Sequence, residues 1–124
     1  MFRRQKIAED FSKAAFSYAE NAKLQMHIGK KLIGITTQYL PSACLLLDLG
    51  AGSGELTALL PARAIALDIS TGMCGQAAAG KLPAVCAAAE QLPFASGSLD
   101  AVFSNLMLQW LPDPGQFFSE SFRV

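Results

Sequence analysis

Apolar residues follow a helical spacing through the N-terminal part of the chain. Two stripes recur at steps of three and four residues, and they contain Ile7, Phe11, Ala14, Ala15 and Tyr18, then Leu24, Ile28, Leu32, Ile35 and Tyr39. This spacing predicts helix from residue 3 to about residue 39, with a break at Asn21 and an end before Pro41 and Ser42. We therefore expect residues 1–40 to form an N-terminal helical cap.

After residue 42 the pattern changes to short apolar runs separated by helical stretches. The predicted strands are 44–49, 64–67, 84–88 and 99–104, and the predicted helices are 55–60, 71–80, 105–111 and 117–122. Strands that alternate with helices indicate an α/β fold with a doubly wound parallel sheet. With about four strands, residues 41–124 would form an incomplete sheet in which strand 99–104 lies at an edge. An unpaired apolar edge favours self-association.

A glycine-rich turn follows the first predicted strand, in the stretch LLLDLGAGSGELT. Gly50, Gly52 and Gly54 occupy alternate positions there, and Asp48 precedes them. Glycine permits positive φ and leaves space for a ligand where a Cβ would clash. The free N–H groups at a following helix start favour a carboxylate or a phosphate. A tight strand-to-helix turn without a ligand would use the same glycines.

Two acids narrow the choice of ligand. A nicotinamide or flavin fingerprint has the spacing G-x-G-x-x-G, whereas this turn reads G-A-G-S-G. Asp48 would repel a pyrophosphate and would favour an ammonium or sulfonium group. Asp68 ends the second strand, in ALDIS, and a carboxylate there can accept hydrogen bonds from both ribose hydroxyls. The turn and the two acids together indicate S-adenosylmethionine.

At this point the chain resembles the Rossmann-like S-adenosylmethionine-dependent methyltransferases. LLLDLGAGSGELT and ALDIS are similar to their first two motifs, and AAAEQLPFASGSLDAVFSNLMLQWLPDP is similar to the third and fourth. The stretches KIAEDFSKAAFSYAENAKLQ, ALDISTGM and VFSNLMLQWLPDP resemble the malonyl-acyl-carrier-protein O-methyltransferases of biotin synthesis. The resemblance implies that residues 41–124 are the N-terminal half of a truncated S-adenosylmethionine-binding domain. It also implies a malonyl thioester on an acyl-carrier protein as the methyl acceptor.

The resemblance assigns a role to each matching position. The methionine end of the cofactor would lie against Asp48, Gly50, Ala51, Gly52, Ser53 and Gly54. The nucleoside would contact Asp68, Ile69, Met73, Ala89 and Glu90. The region near the methyl group would include Asn105 and Leu106, the substrate side would include Gln109 and Trp110, and Tyr18 would close over the pocket.

Several of these positions also fit a purely structural role. Ile69 and Met73 are equally consistent with core packing, Trp110 is more often a packed aromatic than a substrate wall, and Glu90 is consistent with an exposed turn. Relatives usually carry an acid immediately before the Ala-Glu pair, to hold the adenine amino group, and this chain has Ala88 there. The two strand-end aspartates have weaker structural alternatives, because an acid in an apolar strand needs a partner.

The implied chemistry needs no acid–base pair. A sulfonium leaves as a neutral thioether, and a carboxylate acceptor is already ionised at neutral pH. Alignment and exclusion of water would then provide the catalysis. We accordingly predict no catalytic residue and no metal, and interpret His27 as structural or exposed. A free carboxylate substrate would favour an arginine, drawn from Arg3, Arg4, Arg63 and Arg123.

Charge and cysteine content set the remaining expectations. Ten basic residues balance ten acidic ones, which argues against a nucleic-acid partner. Most basic residues precede the glycine turn. They would form either a solvated helix face or a docking patch for an acidic partner. Three unpatterned cysteines indicate reduced thiols in a cytoplasmic protein, and no apolar run reaches the roughly 20 residues that span a membrane.

Three functions stay open from the sequence. The first is a methyltransferase of the malonyl-carrier-protein type. The second is a module that binds S-adenosylmethionine and catalyses nothing alone. The third is a nicotinamide-dependent oxidoreductase, against which the glycine spacing and Asp48 argue.

Overall fold

The structure, a computed structural model, describes residues 2–14, 19–41 and 43–124. Its helices are α1 (Phe2–Ala14), α2 (Ala19–Thr36), α3 (Thr71–Ala79) and α4 (Pro114–Arg123), and its strands are β1 (Leu45–Leu49), β2 (Arg63–Asp68), β3 (Ala84–Cys86) and β4 (Ala101–Ser104). Single 3-10 turns occupy Thr57–Leu59 and Leu108–Trp110. Within the described ranges, no helix has both the length and the apolar character needed to cross a membrane.

The four described strands form one parallel sheet in the order β3-β2-β1-β4. β1 is central, between β2 and β4, and β4 lies at an edge of these strands. The register pairs Asp48 with Ala66, and Asp68 with Cys86. Because parallel strands end at the same edge of the sheet, the two acids that close β1 and β2 meet there. The predicted α/β parallel sheet is confirmed.

Helices cover both faces of the sheet. Leu47 and Leu49 are fully buried on one face and pack in a cluster with Phe117 of α4. Leu46 points to the other face, where its cluster includes Leu32 of α2. This alternation along β1 is the expected consequence of the two-residue side-chain period of a strand. Burial on both faces explains the continuous apolar sequence around Asp48.

Several predicted boundaries differ from the structure. Asn21 lies inside α2 and does not break it. The predicted helix 55–60 is reduced to the 3-10 turn that ends before Pro61, because a proline cannot continue the helical hydrogen bonds. The predicted strand 84–88 ends at Cys86, and the chain then turns, with the Gln91 N–H donating to the Ala88 carbonyl at 3.1 Å.

The last two predicted helices also change. The stretch 105–111 forms only a short 3-10 turn, since Leu106 takes a positive φ of 55° that interrupts a right-handed helix. The final helix begins earlier than predicted, at Pro114. The Asp113 carboxylate caps it by accepting from the Gln116 N–H at 3.1 Å, and proline is favoured in the first turn of a helix.

Candidate cofactor-binding site

A cavity of about 280 Å³ opens at the carboxyl ends of β1, β2 and β4. This is the edge at which parallel α/β sheets bind their ligands. Most residues proposed from the sequence line it: Asp48, Gly50, Ala51, Gly52, Ser53, Asp68, Ile69, Met73, Ala89, Glu90, Asn105, Leu106 and Trp110. Gly54 and Gln109 are not among the lining residues, and Tyr18 lies outside the described residues.

The glycine turn is anchored to the end of β2. The N–H groups of Gly50 and Ala51 both donate to the Leu67 carbonyl, at 2.9 and 3.0 Å. Gly52 has a φ of 58°, and a Cβ built on it would meet only the Met73 sulfur, at 4.0 Å. The turn therefore needs glycine here for its backbone, and leaves open space on the cavity side.

Gly54 has a different task. Its φ is 85°, and an added Cβ would clash with Cδ1 of Leu82 and lie 3.3 Å from Cβ of Ala77. The glycine therefore allows the turn to pack closely against α3 and the segment after it. This packing role explains why Gly54 does not line the cavity although it belongs to the motif.

Asp48 is a buried acid with a local partner. Its residue is 2% exposed, and the Thr57 hydroxyl donates to its Oδ2 at 2.7 Å. Burial raises the pKa of Asp48 to about 6; the Thr57 hydrogen bond opposes this rise and the nearby charge of Asp68 adds to it. The carboxylate is thus held where a cationic ligand group would stabilise its ionised form.

Asp68 joins the two loops that border the cavity. Its Oδ2 accepts from the Gly52 N–H and its Oδ1 from the Ser70 N–H, both at 2.9 Å. Burial raises the pKa of Asp68, against the lowering effect of these backbone hydrogen bonds. An ionised carboxylate has about four acceptor directions, so the backbone donors of Gly52, Ser70 and Ile69 leave capacity for a ligand hydroxyl.

The segment after β2 also sets the position of α3. The Ser70 hydroxyl accepts from the Met73 N–H at 3.2 Å and caps the helix. This cap fixes the first turn of α3, which places Met73 in the cavity wall beside Ile69. The Ser70 cap, two residues after Asp68, therefore helps to position the apolar part of the cavity wall.

Glu90 is buried rather than exposed. It is 4% accessible, and the Arg4 Nε lies 2.6 Å from its Oε2. This ion pair connects α1 to the segment after β3, at the side of the cavity where the resemblance puts the adenine edge. Ala88 is not among the lining residues, whereas its neighbours Ala87 and Ala89 are.

The segment after β4 closes the site from the other side. The Asn105 Nδ2 donates to the Gln25 carbonyl of α2 at 3.1 Å, so this amide joins the helices to the sheet. Leu106 follows in a positive φ conformation. Such backbone strain in a residue with a side chain is typical of ligand-binding sites. Trp110 contributes to the rim and is 44% exposed.

The N-terminal helices and several positions in the remainder of the chain supply lining residues that the sequence did not reveal. The additional lining residues are Arg4, Ile7, Ala22, Gln25, Met26, Glu55, Leu56, Leu67, Gln76, Ala87, Met107, Leu111 and Pro112. One sequence signal was available, at Gly29. A Cβ there would clash with Cδ1 of Leu56, so this glycine lets α2 approach the turn that follows β1.

Comparison with known proteins places the chain in one family. A family model described as a methyltransferase domain matches residues 47–124. The chain belongs to this methyltransferase domain family. The resemblance seen in the sequence is therefore confirmed, and it extends across the glycine turn and both strand-end acids.

Two curated relatives of this methyltransferase domain carry names that refer to a malonyl-acyl-carrier-protein O-methyltransferase and to biotin biosynthesis. The chain is 38% identical to the malonyl-[acyl-carrier protein] O-methyltransferase of Hahella chejuensis, over 98% of the chain and 46% of that protein. It is 40% identical to the biotin biosynthesis bifunctional protein BioHC of Cellvibrio japonicus, over 98% of the chain and 25% of that protein. The chain thus spans about half, or less, of the length of these relatives.

Solved structures show the same fold at lower identity. A methyltransferase from Haloferax volcanii, in complex with the Trm112 activator, matches 91% of the chain and 54% of its own with a TM-score of 0.78 and 24% identity. A methyltransferase from Thermotoga maritima matches 94% of the chain and 55% of its own with a TM-score of 0.78 and 19% identity. These matches support the arrangement of the sheet and its helices.

Proposed function

We propose that this methyltransferase domain binds S-adenosylmethionine in the cavity at the ends of β1 and β2. One observation carries the proposal: a buried carboxylate, Asp48, and a partly buried one, Asp68, border the same open glycine turn. Placing a partly buried acid close to a buried one is costly unless something compensates their charge. A ligand that combines a cationic amino-acid group with a ribose would compensate the charge of Asp48 and donate hydrogen bonds to Asp68.

The cavity fits such a ligand part by part. The open space over Gly52 leaves room for the amino-acid end, beside Asp48. The acceptor capacity of Asp68 suits the ribose hydroxyls, and Ile69 and Met73 offer apolar contact for an adenine. We assign Ala89 and Glu90 to the adenine edge, and Asn105 and Leu106 to the region near the methyl group. Bound there, the cofactor would supply an electrophilic methyl group on a cationic sulfur.

We further propose that the acceptor is the free carboxylate of a malonyl thioester on an acyl-carrier protein. The support comes from the names of relatives that are 36% and 38% identical over 98% of the chain. A carboxylate is ionised at neutral pH, so the residues of this chain need only orient it and exclude water. The exposed rim residues Leu106 and Trp110 would border the acceptor, with Gln109 beside them. We also propose a cytoplasmic location, and the three free thiols support it.

A second candidate function is cofactor binding without catalysis by this chain alone. Among the side chains that the structure describes, Arg4 is the arginine at the cavity, and it is engaged with Glu90. An acceptor carboxylate would then need its cationic partner from elsewhere. Methyl transfer from radiolabelled S-adenosylmethionine to malonyl-acyl-carrier protein separates the two: turnover supports the enzyme, and binding without turnover supports the module.

The Asp68→Ala variant tests the cofactor proposal. Loss of charge-assisted hydrogen bonds, at about 1.5–3 kcal/mol each, is expected to weaken binding of S-adenosylhomocysteine more than about tenfold in calorimetric titration. Asp68→Asn, which keeps one acceptor oxygen, should have an affinity between those of Asp68→Ala and the unmodified chain. The matched control is Asp10→Ala, since Asp10 is exposed on α1 and away from the cavity. Unchanged affinity in a folded Asp68→Ala chain would remove Asp68 from the ribose role.

A further inference from the structure

Two cysteines contact the backbone of the loop that carries Asp68. Cys74 lies on α3, and its Sγ is 3.4 Å from the Asp68 carbonyl and 3.5 Å from the Val85 carbonyl. Cys86 ends β3, and its Sγ is 3.4 Å from the Ile69 carbonyl. The two thiols therefore donate to consecutive carbonyls of one short loop.

The sheet register brings the pair together. Cys86 stands opposite Asp68 in the pairing of β2 with β3, and Cys74 begins its helical hydrogen bonds by donating its N–H to the Ser70 carbonyl at 3.0 Å. Burial, and next the adjacent Cys86 thiol, raise the pKa of Cys74 to about 12. The contacts of the two sulfur atoms with the carbonyls of Asp68 and Ile69 place both thiols at the same short loop.

Accessibility differs between the two thiols. Cys86 is exposed, whereas Cys74 is partly buried behind it and Cys44 is buried elsewhere. An oxidant from solvent would therefore reach Cys86 first. A partly buried thiol beside an oxidised, exposed one is the arrangement in which an intramolecular disulfide forms.

We propose that Cys74 and Cys86 form a reversible disulfide that alters the Asp68–Ile69 loop and so weakens ligand binding in the cavity. The oxidant is a peroxide. The Cys86 sulfur attacks one peroxide oxygen, the O–O bond breaks, and the departing hydroxide takes the Cys86 proton, which gives a sulfenic acid and a water. The Cys74 sulfur then displaces the sulfenic hydroxyl, forms the S–S bond and releases its proton, so that two thiols and one hydrogen peroxide give one disulfide and two waters. The effect on binding rests on the proposed function; formation of the disulfide does not.

The structural consequence follows from the donors that disappear. A disulfide sulfur carries no proton, so the carbonyls of Asp68, Ile69 and Val85 lose their S–H donors. The Asp68 carbonyl keeps the Ala87 N–H, at 3.0 Å. The carboxylate of Asp68 holds Gly52 and Ser70, and a shift of this loop therefore reaches both sides of the cavity.

The test is peroxide treatment of the native chain, followed by alkylation, trypsin digestion and mass spectrometry. Cleavage after Arg63 and Lys81 puts Cys44, Cys74 and Cys86 on three separate peptides. We expect residues 64–81 to be joined to residues 82–123, with a loss of about 2 Da that dithiothreitol reverses. A peroxide-treated chain in which these peptides stay separate, or in which Cys44 forms the bridge, would overturn the proposal.

Calorimetric titration of the same samples tests the consequence for binding. The oxidised chain should bind S-adenosylhomocysteine about three- to tenfold more weakly than the reduced chain, and dithiothreitol should restore the affinity. Cys86→Ser should keep the reduced-state affinity and make it insensitive to peroxide. Equal affinity in the oxidised and reduced chains would overturn the coupling. Absence of binding in the reduced chain would refute the proposed function, while the peptide result would still decide independently whether the disulfide forms.

Discussion

Replacing Asp48 by asparagine measures what it costs the fold to bury this acid. The raised pKa means that the folded chain binds the Asp48 proton more tightly than the unfolded chain does. The stability that this proton provides is present below the unfolded pKa and is lost as the pH rises through the folded pKa. Asparagine cannot ionise, and it retains an oxygen that can accept from Thr57. The variant therefore escapes this loss.

The magnitude follows from the shift of the pKa from 3.8 to about 6. A difference of about two pKa units corresponds to about 3 kcal/mol between the fully protonated and fully ionised limits. Over the accessible range from about pH 4 to about pH 7.5, we expect the free energy of unfolding of Asp48→Asn, relative to the unmodified chain, to rise by about 2 kcal/mol. The comparison across pH removes any constant cost of the amide itself.

Urea unfolding followed by circular dichroism provides the assay, at several pH values and with equal protein concentration. The control is Asp10→Asn, which makes the same replacement at an exposed position on α1. The same Asp48→Asn chain should bind S-adenosylhomocysteine more weakly, so that stability is gained where binding is lost. A relative stability that is independent of pH, or that falls as the pH rises, would refute the electrostatic reasoning.

Two further predictions concern the glycines and the sheet edge. Gly54→Ala should destabilise the chain by about 2 kcal/mol, because of the positive φ and the contact with Leu82. Gly75→Ala should instead stabilise α3 by up to about 1 kcal/mol, since a Cβ at Gly75 meets nothing within 4 Å. Urea unfolding in which both variants behave alike would contradict this prediction. We also expect self-association through the β4 edge or through the α4 surface, where Phe122 is 96% exposed. Phe122→Asp should reduce association through α4. A monomer of the unmodified chain at high concentration in analytical sedimentation would count against both surfaces.

The strands of the sheet and the core of the site were predictable because their signals are local. The apolar run around Asp48, the alternate glycines and the acid that ends β2 each sit within a few residues of sequence. Parallel pairing then brings the ends of β1 and β2 together, since both strands finish at the same edge. The methyltransferase family followed from the same motifs, and the family match over residues 47–124 confirms it.

The rest of the site depends on contacts that periodicity does not encode. An apolar stripe shows that a helix has a buried face, but it does not show which part of the sheet that face covers. The pairing of Arg4 with Glu90 and the bond from Asn105 to the Gln25 carbonyl are both of this kind. The positive φ of Leu106 is also hidden, because leucine rarely adopts that conformation.

Calorimetric titration of this chain with S-adenosylhomocysteine, with NADH as the comparison ligand, tests the central claim most directly. We predict binding of S-adenosylhomocysteine alone, because Asp48 disfavours a pyrophosphate and Asp68 is proposed to accept from the ribose hydroxyls. Binding of NADH with equal or greater affinity, or of neither ligand by a chain that circular dichroism shows to be folded, would contradict the account.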